Sequence, residues 1–577
     1  MSVSDKAQRL LFVTTALFAF LGVNLVWMQV IKGDAYRALS EKNRLRVIYL
    51  EGARGKILDR RGRVLATSRL GFNCSAIPWE AQGAIQQSCR VLAPILGEDA
   101  WTLEKRFYER PPGAFHTVLM AEDIGSQKAI AIEERLDRLP GFLVETHSKR
   151  TYPLGESAAH LVGFVGPIRD DEEDLMEIGG YKPADWVGRD GVEKFYESYL
   201  RGRSGGIQME VNSRGRFVRT LGFERPTGGK DIRLTVDAEL ESTVQEYLRA
   251  QKGAVIVMNL EDGGLLSLNS SPSFDPNLFA TREGRKKVGD YLTDERAPMV
   301  NRAIRGAYPP GSIFKIVTAL AALEQKKITA ATVFKCGGVL TIGGNAFHCW
   351  NLTGHGDERL AEGFAHSCNV YFYSAGVLAG VDAIAEKAAQ FGFSKLTGID
   401  LPGEKEGFVP SREWKKKVYH APWYEGETAN FAIGQGYLQV TPIQALGMIA
   451  GVAAHGWIFK PHVVDRIENV KVADGSSRTL TIDPSDLRAV IDGLDAVIQS
   501  GTGTGRLARV EGIRIAGKTG TAQSGQDRTH AWFVGFAPEE NPKVAVVVFL
   551  ENGGRGGVSA ASLAALLFQW LKKASYL

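Results

Sequence analysis

Ser312 and Lys315 stand in the stretch Gly306 to Leu323, GAYPPGSIFKIVTALAAL, where residue types and spacing suit nucleophilic chemistry. Tyr308, Pro309, Pro310 and Gly311 break regular structure, after which Ile313, Ile316, Val317, Ala319, Leu320 and Leu323 recur at helical spacing. Ser312 therefore sits at the mouth of a buried helix, and Lys315, three residues on, shares its face. A serine hydroxyl is a weak nucleophile until a neighbouring base takes its proton. A lysine desolvated by an apolar helix base is pushed toward its neutral, basic form. Backbone N–H groups at the helix start would hold a developing oxyanion. Alone, the pair reads first as a capping serine ahead of a surface lysine.

Two later segments change that reading. Ser367-Cys368-Asn369 lies in an apolar stretch, and Lys518-Thr519-Gly520-Thr521 follows a short strand at Ile513, Arg514, Ile515 and Ala516. Ser-x-x-Lys, Ser-Asp-Asn and Lys-Thr-Gly, in that order, are the signature of penicillin-binding proteins and class A β-lactamases. Here Cys368 replaces the middle Asp, and both outer residues of that motif are kept. On these residues the chain resembles class B penicillin-binding proteins, the membrane-anchored D,D-transpeptidases of cell-wall synthesis, over essentially its whole length.

The resemblance implies a serine-type D-Ala-D-Ala transpeptidase. Ser312 would attack the penultimate D-Ala carbonyl of a stem pentapeptide, with Lys315 as general base. Ser367 would relay the proton to the leaving amine, while Asn369 bonds the substrate amide and steadies Lys315. Read alone, Ser367 and Asn369 are equally suited to capping a helix. Lys518 and Thr519 would bind the substrate carboxylate, or the acid of a β-lactam. Gly520 would let the strand edge approach the ligand, and the N–H of Thr521 would complete the oxyanion hole with that of Ser312. No second base of the hydrolytic β-lactamase type can be located, so a long-lived acyl-enzyme awaiting an amine is expected.

Cys336, Cys349 and Cys368 crowd the segment between the first two motifs, together with His348, His355 and His366. Three thiols and one imidazole make a tetrahedral zinc shell. His355, in a Gly-His-Gly loop free of packing demands, is taken as the fourth ligand. Such an ion would be structural, with no open position for water, and holding Cys368 would hold Ser367 and Asn369 beside it. A disulfide and a buried free Cys368 are the competing readings. Cys349-Trp350, Gly354-His355-Gly356 and Ser367-Cys368-Asn369 resemble the elongation-type branch, penicillin-binding protein 2. Some members of that branch carry a metal site beside the Ser-x-Asn motif, often with carboxylates where Cys336 and Cys349 stand here.

The elements that must position these groups begin at the N-terminus. At 577 residues the chain exceeds one core. Hydrophobic content of 44% and charged content of 23% exclude disorder and a polytopic membrane protein. A net charge of +4 is too small for a nucleic-acid partner, and five cysteines are too few for a disulfide scaffold. Leu10 to Ile31 is long and apolar enough to span a bilayer, with Trp27 at an interfacial position. It reads as an uncleaved anchor, since it is too long for a signal peptide and lacks a cleavage site. Lys6 and Arg9 precede it, whereas Lys32, Arg37, Lys42, Arg44 and Arg46 follow. That count alone would leave the bulk in the cytoplasm. Long domains translocate regardless of charge, and the chemistry lies outside, so a single-pass inner-membrane protein with a periplasmic bulk is expected.

Arg54 to Ala66 reads as a hairpin around a basic turn and resembles the opening of the family's pedestal. Residues 80–139 read as helical with a break at Pro111-Pro112-Gly113. The segments 150–153, 160–166, 191–196 and 200–202 again resemble pedestal sequence. His147 and His160 read as structural, and Cys74 with Cys89 is left as a candidate pedestal disulfide. Pro226 to Asp231, PTGGKD, is the clearest linker. Asp237 should cap a helix carrying Leu240, Val244 and Leu248. Strands at 253–260, 531–537 and 544–550 and a final helix near 559–573 imply an antiparallel sheet closed by both ends of one domain.

The expected fold is therefore α+β, in four parts: a cytoplasmic tail (1–9), a transmembrane anchor (10–31), a mixed α/β pedestal (32–230) and a transpeptidase domain (231–577). The expected function is cross-linking of peptidoglycan during cell elongation. Division-type chemistry, or service mainly as an activator of a membrane glycosyltransferase, are the alternatives. The resemblance implies as partners the lipid bilayer, stem pentapeptides, β-lactams, a RodA-type glycosyltransferase and rod-complex proteins.

Overall fold

The computed structural model describes the chain except residues 1–2, 35, 38–44, 51, 110–116, 170, 173–180, 182–184, 212–216, 473–476 and 526–527. The expected break at Pro111 to Gly113, and Lys42 and Arg44 after the anchor, lie outside the described residues. Two compact units form: Met1–Arg54 with Arg201–Gly229, and Gly55–Leu200 with Lys230–Leu577. The proposed pedestal, 32–230, contributes to both.

In the first unit a helix over Val3–Val26 continues as a π-helical turn over Trp27–Ile31. Leu10–Ile31 within it has a mean hydropathy of 2.1 over 22 residues, and none of it is buried. A three-stranded antiparallel sheet (Leu45–Leu50, Gly205–Val211, Phe217–Glu224) completes the unit.

In the second unit Ile57–Leu58 pairs with the long strand Val64–Ala76, as the hairpin reading expects. The turn between them is not simply solvated. Asp59 is buried and accepts from the backbone N–H groups of Arg61 (2.8 Å), Arg63 (2.7 Å) and Ala238 (3.2 Å). Ile57–Leu58 also pairs in parallel with Ile232–Leu234, so one seven-stranded sheet draws strands from both sides of the PTGGKD linker. Residues 80–139 are largely helical but include a strand at Val118–Ala121. Cys74 and Cys89 do not form the candidate disulfide. Both are free thiols in a small separate core with Ile85, Leu92, Phe107 and Met120, where burial pushes them up to about 12 and about 11.

The sheet that carries the site comprises β1 (Gly253–Asn259), β2 (Leu265–Ser271), β3 (Ala516–Gln523), β4 (Thr529–Ala537) and β5 (Val544–Leu550). Their order is β2-β1-β5-β4-β3, antiparallel throughout, with β3 at an edge. Every residue of β2 and β5 is buried, which fits the continuously apolar sequence of β5, whereas β2 also buries Ser267, Asn269, Ser270 and Ser271. Around the sheet lie α1 (Ala238–Leu248), α2 (Lys315–Glu324), α3 (Asn369–Ala379), α4 (Pro442–Ala453), α5 (Pro484–Gln499) and α6 (Ser559–Lys573). Asp237 caps α1 as expected, accepting from the N–H groups of Glu239 and Leu240. The first strand of this sheet pairs with its last (Gly253 opposite Leu550), so the two ends of the domain close one layer.

Candidate active site

Ser312 lies on a 3₁₀ turn, Gly311–Phe314, that leads directly into α2. The turn is gripped from two sides. Gly311, at φ +57°, donates its N–H to Gly434 O at 2.9 Å, and Trp532 Nε1 donates to Pro309 O at 3.0 Å. Gly520 of β3 packs on the other side, where an added Cβ would lie 2.9 Å from Pro310 O and 3.0 Å from Ile313 Cγ2. Glycine is therefore needed there so that the edge strand can touch the turn that carries Ser312, a cause distinct from the ligand approach expected from sequence.

Lys315 is fully buried. Its Nζ donates to Ser367 O (2.7 Å) and Asn369 Oδ1 (2.8 Å), and lies 3.3 Å from Ser367 Oγ. These partners account for all three donors of an ammonium. Among the described residues no hydrogen bond joins Lys315 to Ser312. Burial lowers the lysine to about 8, so the neutral amine is accessible near neutrality.

Ser367 occupies the tight turn between the helix Leu360–Ala365 and α3, and adopts φ +51°, a conformation that costs a non-glycine residue. Cys368, rather than Ser367 or Asn369, is the helix cap, its Sγ accepting from Tyr371 N at 3.5 Å. That frees Ser367 and Asn369 to face Lys315. From the sheet, Lys518 Nζ donates to Ser367 Oγ at 2.9 Å and to Thr519 O at 3.0 Å. Lys518 is also fully buried. Desolvation, and then the neighbouring Lys315, hold it well below its ordinary value. One hydroxyl thus sits between two buried amines, and the three motifs meet in a single place.

The Lys-Thr-Gly residues lie within β3, not after a strand, because the strand begins only at Ala516. Thr519 Oγ1 donates to Thr504 Oγ1 at 3.0 Å, and Thr521 Oγ1 accepts from Gly556 N at 3.1 Å. Thr504 was not among the residues singled out from sequence. Its signal is the Ser-Gly-Thr-Gly-Thr-Gly run at 500–505, whose glycines mark a loop able to approach other backbone closely.

Cys336, Cys349, His355 and Cys368 converge as expected, with their ligand atoms all within 4.8 Å of one another. Cys336 Sγ and Cys349 Sγ each lie 3.6 Å from His355 Nδ1. Zn–S and Zn–N bonds at tetrahedral angles separate sulfur from nitrogen by about 3.6 Å, so the donor set fits that ion. The Nε2 of His355 is buried and has no hydrogen-bond partner among the described residues. The Cys368 thiol and nearby backbone N–H groups hold the Cys349 thiol below its ordinary value. His348 stays outside the cluster. His160 is buried and bonded to Pro272 O, and burial lowers it to about 4, which makes it a neutral structural histidine.

Residues 253–569 match the penicillin-binding protein transpeptidase domain, and residues 49–234 match the penicillin-binding protein dimerisation domain. With a buried Ser367 shared by two lysines beside Ser312, the fold and site are those of a penicillin-binding protein transpeptidase, and the chain belongs to that family. Within it the chain is similar to the elongation-type member, penicillin-binding protein 2. Peptidoglycan D,D-transpeptidase MrdA of Haemophilus influenzae is 33% identical over 97% of this chain and 91% of that protein. MrdA of Escherichia coli K12 is 31% identical over 95% and 93%. A solved complex between PBP2 and MreC from Helicobacter pylori matches with a TM-score of 0.82 at 28% identity, covering 92% of this chain and 99% of that one. A solved peptidoglycan synthase complex that coordinates polymerization and crosslinking matches with a TM-score of 0.75 at 31% identity over 98% of both chains.

Proposed function

We propose that this protein is a serine-type peptidoglycan D,D-transpeptidase that cross-links stem peptides during cell elongation. The observation that carries the reading is the Ser367 hydroxyl, held between the buried amines of Lys315 and Lys518 next to the Ser312 turn. Neutral Lys315 takes the proton from Ser312 Oγ as that oxygen bonds to the penultimate D-Ala carbonyl carbon. The N–H groups of Ser312 and Thr521 hold the oxyanion. When the C–N bond breaks, the proton leaves Lys315 through Ser367 Oγ to the departing D-Ala nitrogen. An acceptor amine then reverses these steps, losing its proton along the same route and restoring Ser312. Lys518 and Thr519 receive the terminal carboxylate, and Asn369 meets the donor amide while fixing Lys315.

Cys336, Cys349, His355 and Cys368 would hold a structural zinc ion. The ion's contribution is to brace the loop, and Cys368 passes that rigidity to Ser367 and Asn369 on either side. Leu10–Ile31 anchors the chain in the inner membrane with residues 1–9 cytoplasmic and the pedestal and transpeptidase domains periplasmic. PBP2 chains similar to this one have been solved with MreC and with WCK 5153. The reading gives this chain rod-complex proteins, a RodA-type glycosyltransferase and β-lactams as binding partners.

Incubation of the full chain in detergent with uncross-linked peptidoglycan strands should release D-alanine and yield cross-linked muropeptide dimers. A Ser312→Ala variant should yield neither. Equal cross-linking by that variant would overturn the reading.

A further inference from the structure

Thr504 reaches the site on the Ser500–Gly505 loop, whose composition gives it little to hold it in place. Its three glycines have no side chain to pack and lose the most entropy on ordering. Besides Gly505 N–H on Val497 O at 2.9 Å and Arg506 Nη1 on Gly501 O at 3.2 Å, the loop is held from across the site by the two residues that precede Ser367. Ala365 O accepts from Thr504 N at 3.0 Å. His366 Nε2 lies 2.9 Å from Thr502 Oγ1, and its Nδ1 lies 2.8 Å from Glu358 Oε1. Glu358 is buried, at 1% exposure, so its carboxylate is a fixed acceptor.

A carboxylate on one ring nitrogen sets the tautomer: Nδ1 keeps its hydrogen and donates, leaving Nε2 to accept from the threonine hydroxyl. The ring is further fixed by stacking on His355, with centroids 5.5 Å apart and planes 6° apart. Trp350 Nε1 holds the His366 carbonyl at 2.9 Å. The loop is in turn fastened to itself, since Ser500 Oγ lies 3.0 Å from Thr502 Oγ1. From Glu358 through His366 and Thr502, the path continues along the loop to Thr504 and across to Thr519 Oγ1 at 3.0 Å.

We propose that His366 is a positioning residue for substrate binding: by fixing Thr502 it sets Thr504, and so aims the Thr519 hydroxyl at the substrate carboxylate. The inference rests on the reading of Thr519 as a carboxylate ligand given above. Its consequence is a division of labour. Lys315 and Ser367 govern the acyl-transfer step, whereas the Glu358–His366–Thr502 path governs how tightly an acidic ligand is held before that step.

The test uses the full chain in detergent, a penicillin, and the same penicillin as its methyl ester. Stopped-flow acylation separates the pre-covalent dissociation constant from the rate of acylation. Thr502→Val removes one hydroxyl from an exposed side chain while keeping its shape, so folding is retained. It should raise the dissociation constant of the free acid about fivefold, the loss of one hydrogen bond's worth of restraint, with the acylation rate within about twofold. Thr502→Ser should restore wild-type binding, and the ester should bind all three proteins alike. His366→Gln should reproduce the Thr502→Val pattern. An unchanged dissociation constant in Thr502→Val, or equal losses for acid and ester, would overturn the proposal. Failure of the wild-type protein to acylate at Ser312 would instead remove the underlying transpeptidase reading.

Discussion

Lys518 Nζ donates to Ser367 Oγ at 2.9 Å, and this contact joins the edge strand to the turn before α3. Lys315 approaches the same oxygen from the opposite motif at 3.3 Å. Burial lowers Lys315, and burial together with the neighbouring Lys315 lowers Lys518.

Removing the shared hydroxyl should therefore interrupt proton transfer while leaving the fold intact. Ser367→Ala is expected to slow acylation by a chromogenic β-lactam roughly 10²–10⁴-fold, the range for losing a positioned acid–base group. The decisive reading is the acylation rate at saturating ligand. A rate within a factor of a few of wild type would exclude the relay.

The pH dependence follows from Lys315, which burial lowers to about 8. The base must be neutral to act, and a lysine is neutral above its pKa. Acylation should climb about tenfold per pH unit below that value and level off above it. A rate that fell as pH rose from 6 to 8 would contradict neutral Lys315 as the base. Lys315→Ala should abolish the climb.

Gly520→Ala tests the contact between β3 and the nucleophile turn. Its Cβ would stand 2.9 Å from Pro310 O, which is backbone and cannot rotate away. Overpacking of this kind costs about 1–3 kcal/mol. Both the denaturation midpoint and the acylation rate should fall, because the displaced atoms border Ser312. Loss of neither would show that the strand can shift freely.

The thiol cluster predicts one zinc ion per chain by elemental analysis. Cys368→Ser should lose the ion and lower the Tm, and a chelator should lower the Tm of wild type toward the variant's. Metal-free native protein of unchanged stability would refute the zinc site and leave the serine chemistry untouched.

Much of this architecture was legible in the residues. Val544–Leu550 and Ser559–Lys573 stand where apolar runs placed them, since a fully buried strand and an amphipathic helix leave strong local patterns. The convergence of Cys336, Cys349, His355 and Cys368 was legible from ligand chemistry despite irregular spacing. What escaped was set by distant contacts. Lys315 could be placed on the helix face of Ser312, but Ser367 and Asn369 take its hydrogen bonds, and nothing within one turn of helix reveals that. The need for glycine at 520 comes from Pro310, 210 residues upstream. Thr504 and His366 matter only through a loop whose path no local periodicity encodes.

The central claim is that Ser312 is the nucleophile. The most direct test is mass spectrometry of the full chain after exposure to benzylpenicillin. A single covalent adduct on the peptide containing Ser312, absent in Ser312→Ala, is the predicted result. An adduct on any other side chain, or adduct formation that survives Ser312→Ala, would contradict it.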